Sequence, residues 1–206
     1  MRLAVLFSGG KDSVFAAFWA MQQGFEPVLV TAVPEEYSMM FHHPNVQLAA
    51  RQAEEMGLEH SFVKVGEDDW HDKLKAELQK LGADGIVTGA IASEYQRWRI
   101  EELAEDLGIP AYSPLWHKQD ELYHEMLEYL EVYISAVSAE GLGEEWLGRR
   151  LNELAENPPK NIHPFLEGGE GETFVADAPF FKSPIRVKEW KKSWDGVRGV
   201  AEIVVE

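Results

Sequence analysis

The stretch LAVLFSGGKDSVFAAFW, residues 3–19, sets two apolar runs of different period on either side of Ser-Gly-Gly-Lys-Asp-Ser. Leu3–Phe7 is short and continuously apolar, as in a strand buried on both faces, whereas the residues from Asp12 to Gln23 repeat at helical spacing. A glycine-rich turn between a strand and a helix brings backbone N–H groups close to a ligand, and the helix N-terminus adds roughly half a positive charge. Phosphate is the natural guest of such a turn.

Two familiar phosphate loops do not fit. The pattern G-x-x-x-x-G-K-[ST] fails because Asp12 follows Lys11 and Val5 stands where the first glycine belongs; G-x-G-x-x-G fails outright. The chemistry of Ser8–Ser13 is nevertheless readable. Gly9 and Gly10 let the main chain wrap an anion, the Ser8 and Ser13 hydroxyls can donate to phosphate oxygens, and Lys11 adds charge. Asp12 would repel a phosphate unless a cation stood between them, which points to Mg2+. A helix cap after a tight turn accounts for Asp12 or Ser13, but not for two serines and two glycines together.

Working outward, β-rich apolar runs recur at Pro27–Val33, His60–Val65, Gly85–Ala90 and Ala111–Trp116. Helical stretches at Val46–Met56, Asp68–Leu81 and Ser93–Leu107 lie between them, and "QQG", "EMG", "KLG" and "DLG" mark helix ends. This alternation predicts an α/β fold: a doubly wound, parallel five-stranded sheet with helices on both faces and a ligand beyond the carboxyl ends of its strands. The alternation stops near Lys118. Leu122, Met126, Leu130, Ile134 and Val137 predict one long amphipathic helix, Glu144–Glu156 a second, and "RVKEWKKSW", a DG turn and "GVAEIVVE" a closing hairpin with a loop of two residues or more. A domain of residues 1–118 is therefore expected to precede a smaller α+β domain of residues 119–206.

The 206 residues, 45% of them hydrophobic, can bury a sizeable core. There is no apolar run long enough for a membrane span and no recognisable secretory leader, so a cytoplasmic protein is expected. Nineteen basic against 36 acidic residues give a net charge of −17, which argues against a surface that tracks nucleic-acid phosphates. With no cysteine, disulfides, thiolate zinc sites and cysteine nucleophiles are excluded.

The S-G-G-K-D-S loop resembles that of the PP-loop, or N-type ATP pyrophosphatase, superfamily, whose fold is of the adenine nucleotide alpha hydrolase type. "EYSMMFHHPN" after the second strand, "GAIASEYQRWRIE" from Gly89 to Glu101, and "EGGEGETFVADAPFF" from Glu167 to Phe181 extend the likeness over nearly the whole chain. Together they resemble the diphthine–ammonia ligase family, which completes diphthamide on elongation factor 2.

The resemblance implies ATP and Mg2+. Ser8, Gly9, Gly10, Lys11, Asp12 and Ser13 would hold the phosphates, main chain near Thr31 and Gly89 would hold adenosine, and Asp12 would hold the metal. Asp12, Lys11, Arg99 and Glu170 are the candidate catalytic residues. Acceptor contacts would come from His42, Tyr95, Gln96, Arg99, Glu167, Glu170, Glu172 and Thr173. Ser93 with Gln96 also reads as a capping box, and the three glutamates as an acidic turn; their separate roles stay open at this stage.

The implied partners are elongation factor 2 as protein substrate and ammonia, without nucleic acid or membrane. A homodimer is compatible with the Trp and Phe residues of the second domain. Two rival readings are a related enzyme acting on another acceptor, tRNA or a small molecule, and a module that binds ATP without cleaving it. Thiolation of tRNA commonly runs through a cysteine, which this chain lacks.

Overall fold

The computed structural model describes residues 1–34, 45–89, 94–118, 120–138 and 140–206; the side chains of Tyr95, Gln96 and Asp120 are not part of that description. By contacts the chain divides into two compact units, Met1–Ser8 with Asp12–His117, and Gly9–Lys11 with Lys118–Glu206. Among the described residues no helix is long and apolar enough to cross a membrane.

In the first unit, strands β1 (Arg2–Leu6), β2 (Glu26–Pro34), β3 (Glu59–Val65), β4 (Gly85–Thr88) and β5 (Ala111–Tyr112) form one parallel sheet in the order β3-β2-β1-β4-β5. Helices α1 (Lys11–Gln22), α2 (Leu48–Met56), α3 (Trp70–Lys80) and α4 (Glu94–Leu107) connect them.

One face of the sheet carries Ala4, Val28, Val30, Val63 and Ile86, packed on Leu74 and Leu78 of α3 and Ile100, Leu103 and Ala104 of α4. The alternate residues Leu3, Val5, Leu29 and Val87, all fully buried, face the other way, the side that right-handed crossovers assign to α1 and α2. Those helices bury small residues, Ala16, Ala17, Ala20, Ala49 and Ala53 among them, so they can approach the sheet closely.

Strand order reverses at β1 and β4. The crossover from β1 runs to β2 on one side, while β4 returns on the other, and the carboxyl ends of both strands open at that point. This is where a doubly wound sheet leaves room for a ligand. Two expected strands are shorter than their apolar runs. β4 stops at Thr88, and β5 stops at Tyr112, two residues before Pro114, which has no N–H to donate.

In the second unit, α5 (Asp120–Tyr129) leads into β6 (Glu131–Val137), and β6, β7 (Gly171–Asp177), β8 (Val187–Trp194) and β9 (Gly199–Val205) form an antiparallel sheet ordered β7-β6-β9-β8. The long helix expected through Val137 is therefore wrong beyond Tyr129. Its last two marker residues, Ile134 and Val137, are three apart and mimic helical spacing because a bulge interrupts the strand: Ile134 pairs with Thr173 but Ala136 with Glu172, leaving Ser135 as the extra residue. The β-branched Val132, Ile134 and Val137 fit the pleated surface better than a helix.

The second expected helix is also broken. Glu144–Trp146 is a single 3₁₀ turn, and only Leu151–Glu156, α6, is α-helical. Between them Gly148 donates to the Ile134 carbonyl and Ile134 to the Arg149 carbonyl, so this segment is drawn onto β6. The closing hairpin has a four-residue loop, residues 195–198. Asp195 Oδ1 accepts from the N–H groups of Val197 and Arg198, which holds its carboxyl below the usual range.

Candidate active site

The strand–turn–helix junction forms at the end of β1, the central strand. Gly9 has φ 82°, a conformation disfavoured for residues with a Cβ, and it turns the main chain from β1 into α1. Across the turn the Ser8 N–H donates to Ser13 Oγ at 3.2 Å, and the two hydroxyl oxygens lie 3.3 Å apart. The turn thus places both hydroxyls side by side at the N-terminus of α1, with Asp12 in its first turn. Gly89, just beyond β4, lies against the same helix start. A Cβ on Gly89 would stand 2.7 Å from the Asp12 carbonyl carbon and 2.9 Å from the Ser13 nitrogen, so only glycine allows β4 to end this close to α1.

Thr31 is 2% exposed and holds the junction from the neighbouring strand. Its hydroxyl donates to the Phe7 carbonyl at 2.6 Å and lies 2.8 Å from His60 Nε2 on β3, while the Phe7 N–H donates to the Val30 carbonyl. Burial lowers the His60 pKa below its ordinary value of 6.5. Thr31 was expected only for its main chain. Its side-chain role, and His60 altogether, were missed because both depend on the β2–β3 register, Leu29 with His60 and Thr31 with Phe62, which no local spacing reveals.

In the second unit, the loop residues Gly9–Lys11 meet the segment 167–175. The Gly9 carbonyl accepts from the Val175 N–H at 3.2 Å, and the Lys11 N–H donates to Thr173 Oγ1 at 3.1 Å. Lys11 Nζ lies 2.5 Å from Glu167 Oε1, with both side chains largely buried. A buried ammonium needs such a partner.

Glu170 stands differently. Its Oε1 accepts from the His163 N–H at 2.8 Å and its Oε2 from the Gly168 N–H at 2.7 Å, so its carboxylate ties together the segment on which it lies. The catalytic role expected for Glu170 meets a carboxylate already accepting two main-chain bonds. Glu172 lies on β7 opposite Ala136, and Thr173 opposite Ile134.

The two arginines flanking Trp98 point apart, as helical positions two residues apart require. Arg99 stacks its guanidinium over Trp70 at 4.0 Å; Arg97 pairs with Glu101 at 2.6 Å and lies over Trp116 at 4.6 Å. Arg99 was expected to hold an anion of the substrate, and in the structure it is seated on an aromatic face. His42, Ala90 and Ser93 lie outside the described residues, as do the side chains of Tyr95 and Gln96.

Residues 1–111 match the diphthamide synthase N-terminal domain and residues 118–205 the diphthamide synthase C-terminal domain. The chain belongs to the diphthamide synthase family. A Mus musculus protein named diphthine–ammonia ligase is 32% identical over 221 residues, covering 91% of this chain and 83% of its own. One of the same name from Schizosaccharomyces pombe is 32% identical over 216 residues; the match spans 90% of this chain but only 36% of the yeast protein. Among solved structures, a predicted subunit of tRNA methyltransferase from Methanocaldococcus jannaschii superposes with a TM-score of 0.49 at 19% identity, covering 87% of this chain and 98% of that one.

Proposed function

We propose that this chain is an ATP-dependent ligase that converts the carboxylate of diphthine, on elongation factor 2, into the primary amide of diphthamide. The observation that carries the reading is the donor-rich turn Ser8–Ser13 at the switch point of the parallel sheet, in a chain of the diphthamide synthase family.

In this reading a carboxylate oxygen attacks the α-phosphorus of ATP. The bond from that phosphorus to the bridging oxygen breaks, and pyrophosphate leaves with the electron pair. Ammonia then attacks the acyl carbon, the acyl–oxygen bond breaks, AMP departs, and the nitrogen gives up a proton to become the amide. Negative charge grows on the leaving pyrophosphate in the first step and on the leaving AMP in the second. Main-chain N–H groups, the Ser8 and Ser13 hydroxyls and the start of α1 meet the first of these charges.

Mg2+ fits this loop. Asp12 in the first turn of α1 would stand next to a phosphate, and one carboxylate with phosphate and water oxygens is the ordinary donor set of that ion. Held by Asp12, it would neutralise charge on the departing group. Gly89, just beyond β4, and the main chain near Thr31 on β2 are the groups proposed to hold the nucleoside. Glu167, Glu172 and Thr173 are the groups proposed to face the acceptor and ammonia. The cytoplasm, where translation factors work, is the proposed compartment.

The test is incubation of the protein with Mg-ATP, ammonium and elongation factor 2 bearing diphthine, read by peptide mass spectrometry together with AMP release. Amide formation that depends on ATP and disappears in Asp12→Ala is the expected result. AMP release with a different acceptor, and none with this one, would reassign the substrate. ATP binding without AMP under any acceptor would make the chain a binding module.

A further inference from the structure

A threonine hydroxyl has one hydrogen to give. Thr31 Oγ1 lies 2.6 Å from the Phe7 carbonyl, which can only accept, so that hydrogen is committed there. His60 Nε2, 2.8 Å from the same oxygen, must then be the donor. The tautomer follows: His60 carries its proton on Nε2, and a directed chain runs from His60 to Thr31 to the carbonyl of Phe7.

Phe7 is the residue before the Ser8–Ser13 turn, and both its main-chain groups are fixed to β2, the N–H by Val30 and the carbonyl by the Thr31 hydroxyl. With Thr31 at 2% exposure, water cannot readily take either place.

We propose that His60 and Thr31 are positioning residues for the phosphate-binding turn: the chain fixes the peptide that precedes Ser8 and thereby sets where the Ser8 N–H and hydroxyl point. Losing the His60 donor removes the bond that holds Thr31 Oγ1 from β3, so its bond to the Phe7 carbonyl is held less firmly in place. Two side chains on β2 and β3 thus act at the end of β1 without touching the nucleotide. This inference rests on the ATP reading above.

The test is equilibrium dialysis of Mg-ATP against the full chain, well below each variant's melting midpoint. Thr31→Val and His60→Phe remove the chain; Thr31→Ser keeps the hydroxyl, and His60→Gln keeps an N–H donor. Kd is expected to rise by about threefold to tenfold in the first two, the worth of one neutral hydrogen bond, and to stay within about twofold of the parent in the last two. A purely structural role would lower the melting midpoint and leave the Kd of the folded protein unchanged.

Parent-like affinity in Thr31→Val, or Thr31→Ser as impaired as Thr31→Val, would overturn the inference while leaving ATP binding intact. If Thr31→Val does not fold, the His60→Phe and His60→Gln pair decides by the same criterion. No ATP binding by the parent protein would overturn the nucleotide reading, and this inference with it.

Discussion

Residues 8–13 and 167–173 are both short, glycine-rich and charged, yet they present opposite chemistry. The first offers hydroxyls, main-chain N–H groups and a helix start, which are donors suited to an anion. The second offers three carboxylates, among which Glu167 holds Lys11 and Glu170 holds the N–H groups of His163 and Gly168. A donor-rich turn between a strand and a helix is defined by local geometry, so its role follows from a few consecutive residues. An acceptor-rich loop is defined by whatever it reaches, and its partners lie 2 to 156 positions away.

The sharpest way to break this comparison is at Glu167. Glu167→Ala would leave the Lys11 ammonium buried without its carboxylate, at a cost of about 3–5 kcal/mol in denaturant unfolding. A loss under 1 kcal/mol would show that the pair organises nothing, and that Glu167 belongs with the chemistry alone. Asp12→Ala should act in the opposite manner. AMP release is expected to fall by roughly a hundredfold to a thousandfold, as when a group that stabilises a leaving charge is removed, with the melting midpoint nearly unchanged.

Glu170 decides whether the second loop is a brace or a reagent. Glu170→Ala should cost about 1–3 kcal/mol because two main-chain donors lose their acceptor, and Glu170→Gln, which keeps one carbonyl oxygen, should cost less. Turnover lost in Glu170→Gln with stability retained would make it a chemical participant after all. Gly89→Ala tests the closeness of β4 to α1: overpacking against main chain should cost about 1–3 kcal/mol and weaken ATP binding together.

How far the sequence reveals the structure differs between the units for the same reason. The parallel sheet, its strand sequence and its helix ends were legible because each strand and helix carries its own period and its own glycine stop. The antiparallel unit was not. A bulge at Ser135 gave a strand the three-residue spacing of a helix, and the Gly148 N–H and the Arg149 carbonyl bond to Ile134 of β6. In the candidate site, the Ser8–Ser13 turn between β1 and α1 was legible from local sequence, whereas the packing of Gly89 on α1, the bracing by Glu170, the stacking of Arg99 and the His60–Thr31 chain needed register and tertiary contact.

The smallest expected effect concerns pH. Burial lowers the His60 pKa in the folded protein, so the unfolded chain binds a proton that the folded one resists. The contribution is fully present above the unfolded value of 6.5 and is lost as pH falls through 6.5 toward the lower folded value. Unfolding free energy measured between pH 7.5 and about 5 should fall less steeply in His60→Gln than in the parent. An identical slope would place that pH dependence elsewhere.

The central claim is that the Ser8–Ser13 turn serves the departure of pyrophosphate while a carboxylate takes up AMP. It is tested most directly by supplying acceptor whose carboxylate oxygens are 18O and analysing the nucleotide products by mass spectrometry and 31P NMR. The account predicts pyrophosphate without label and AMP carrying one 18O from the carboxylate. Label in inorganic phosphate with ADP as the nucleotide, or amide formed with unlabelled AMP, would contradict it.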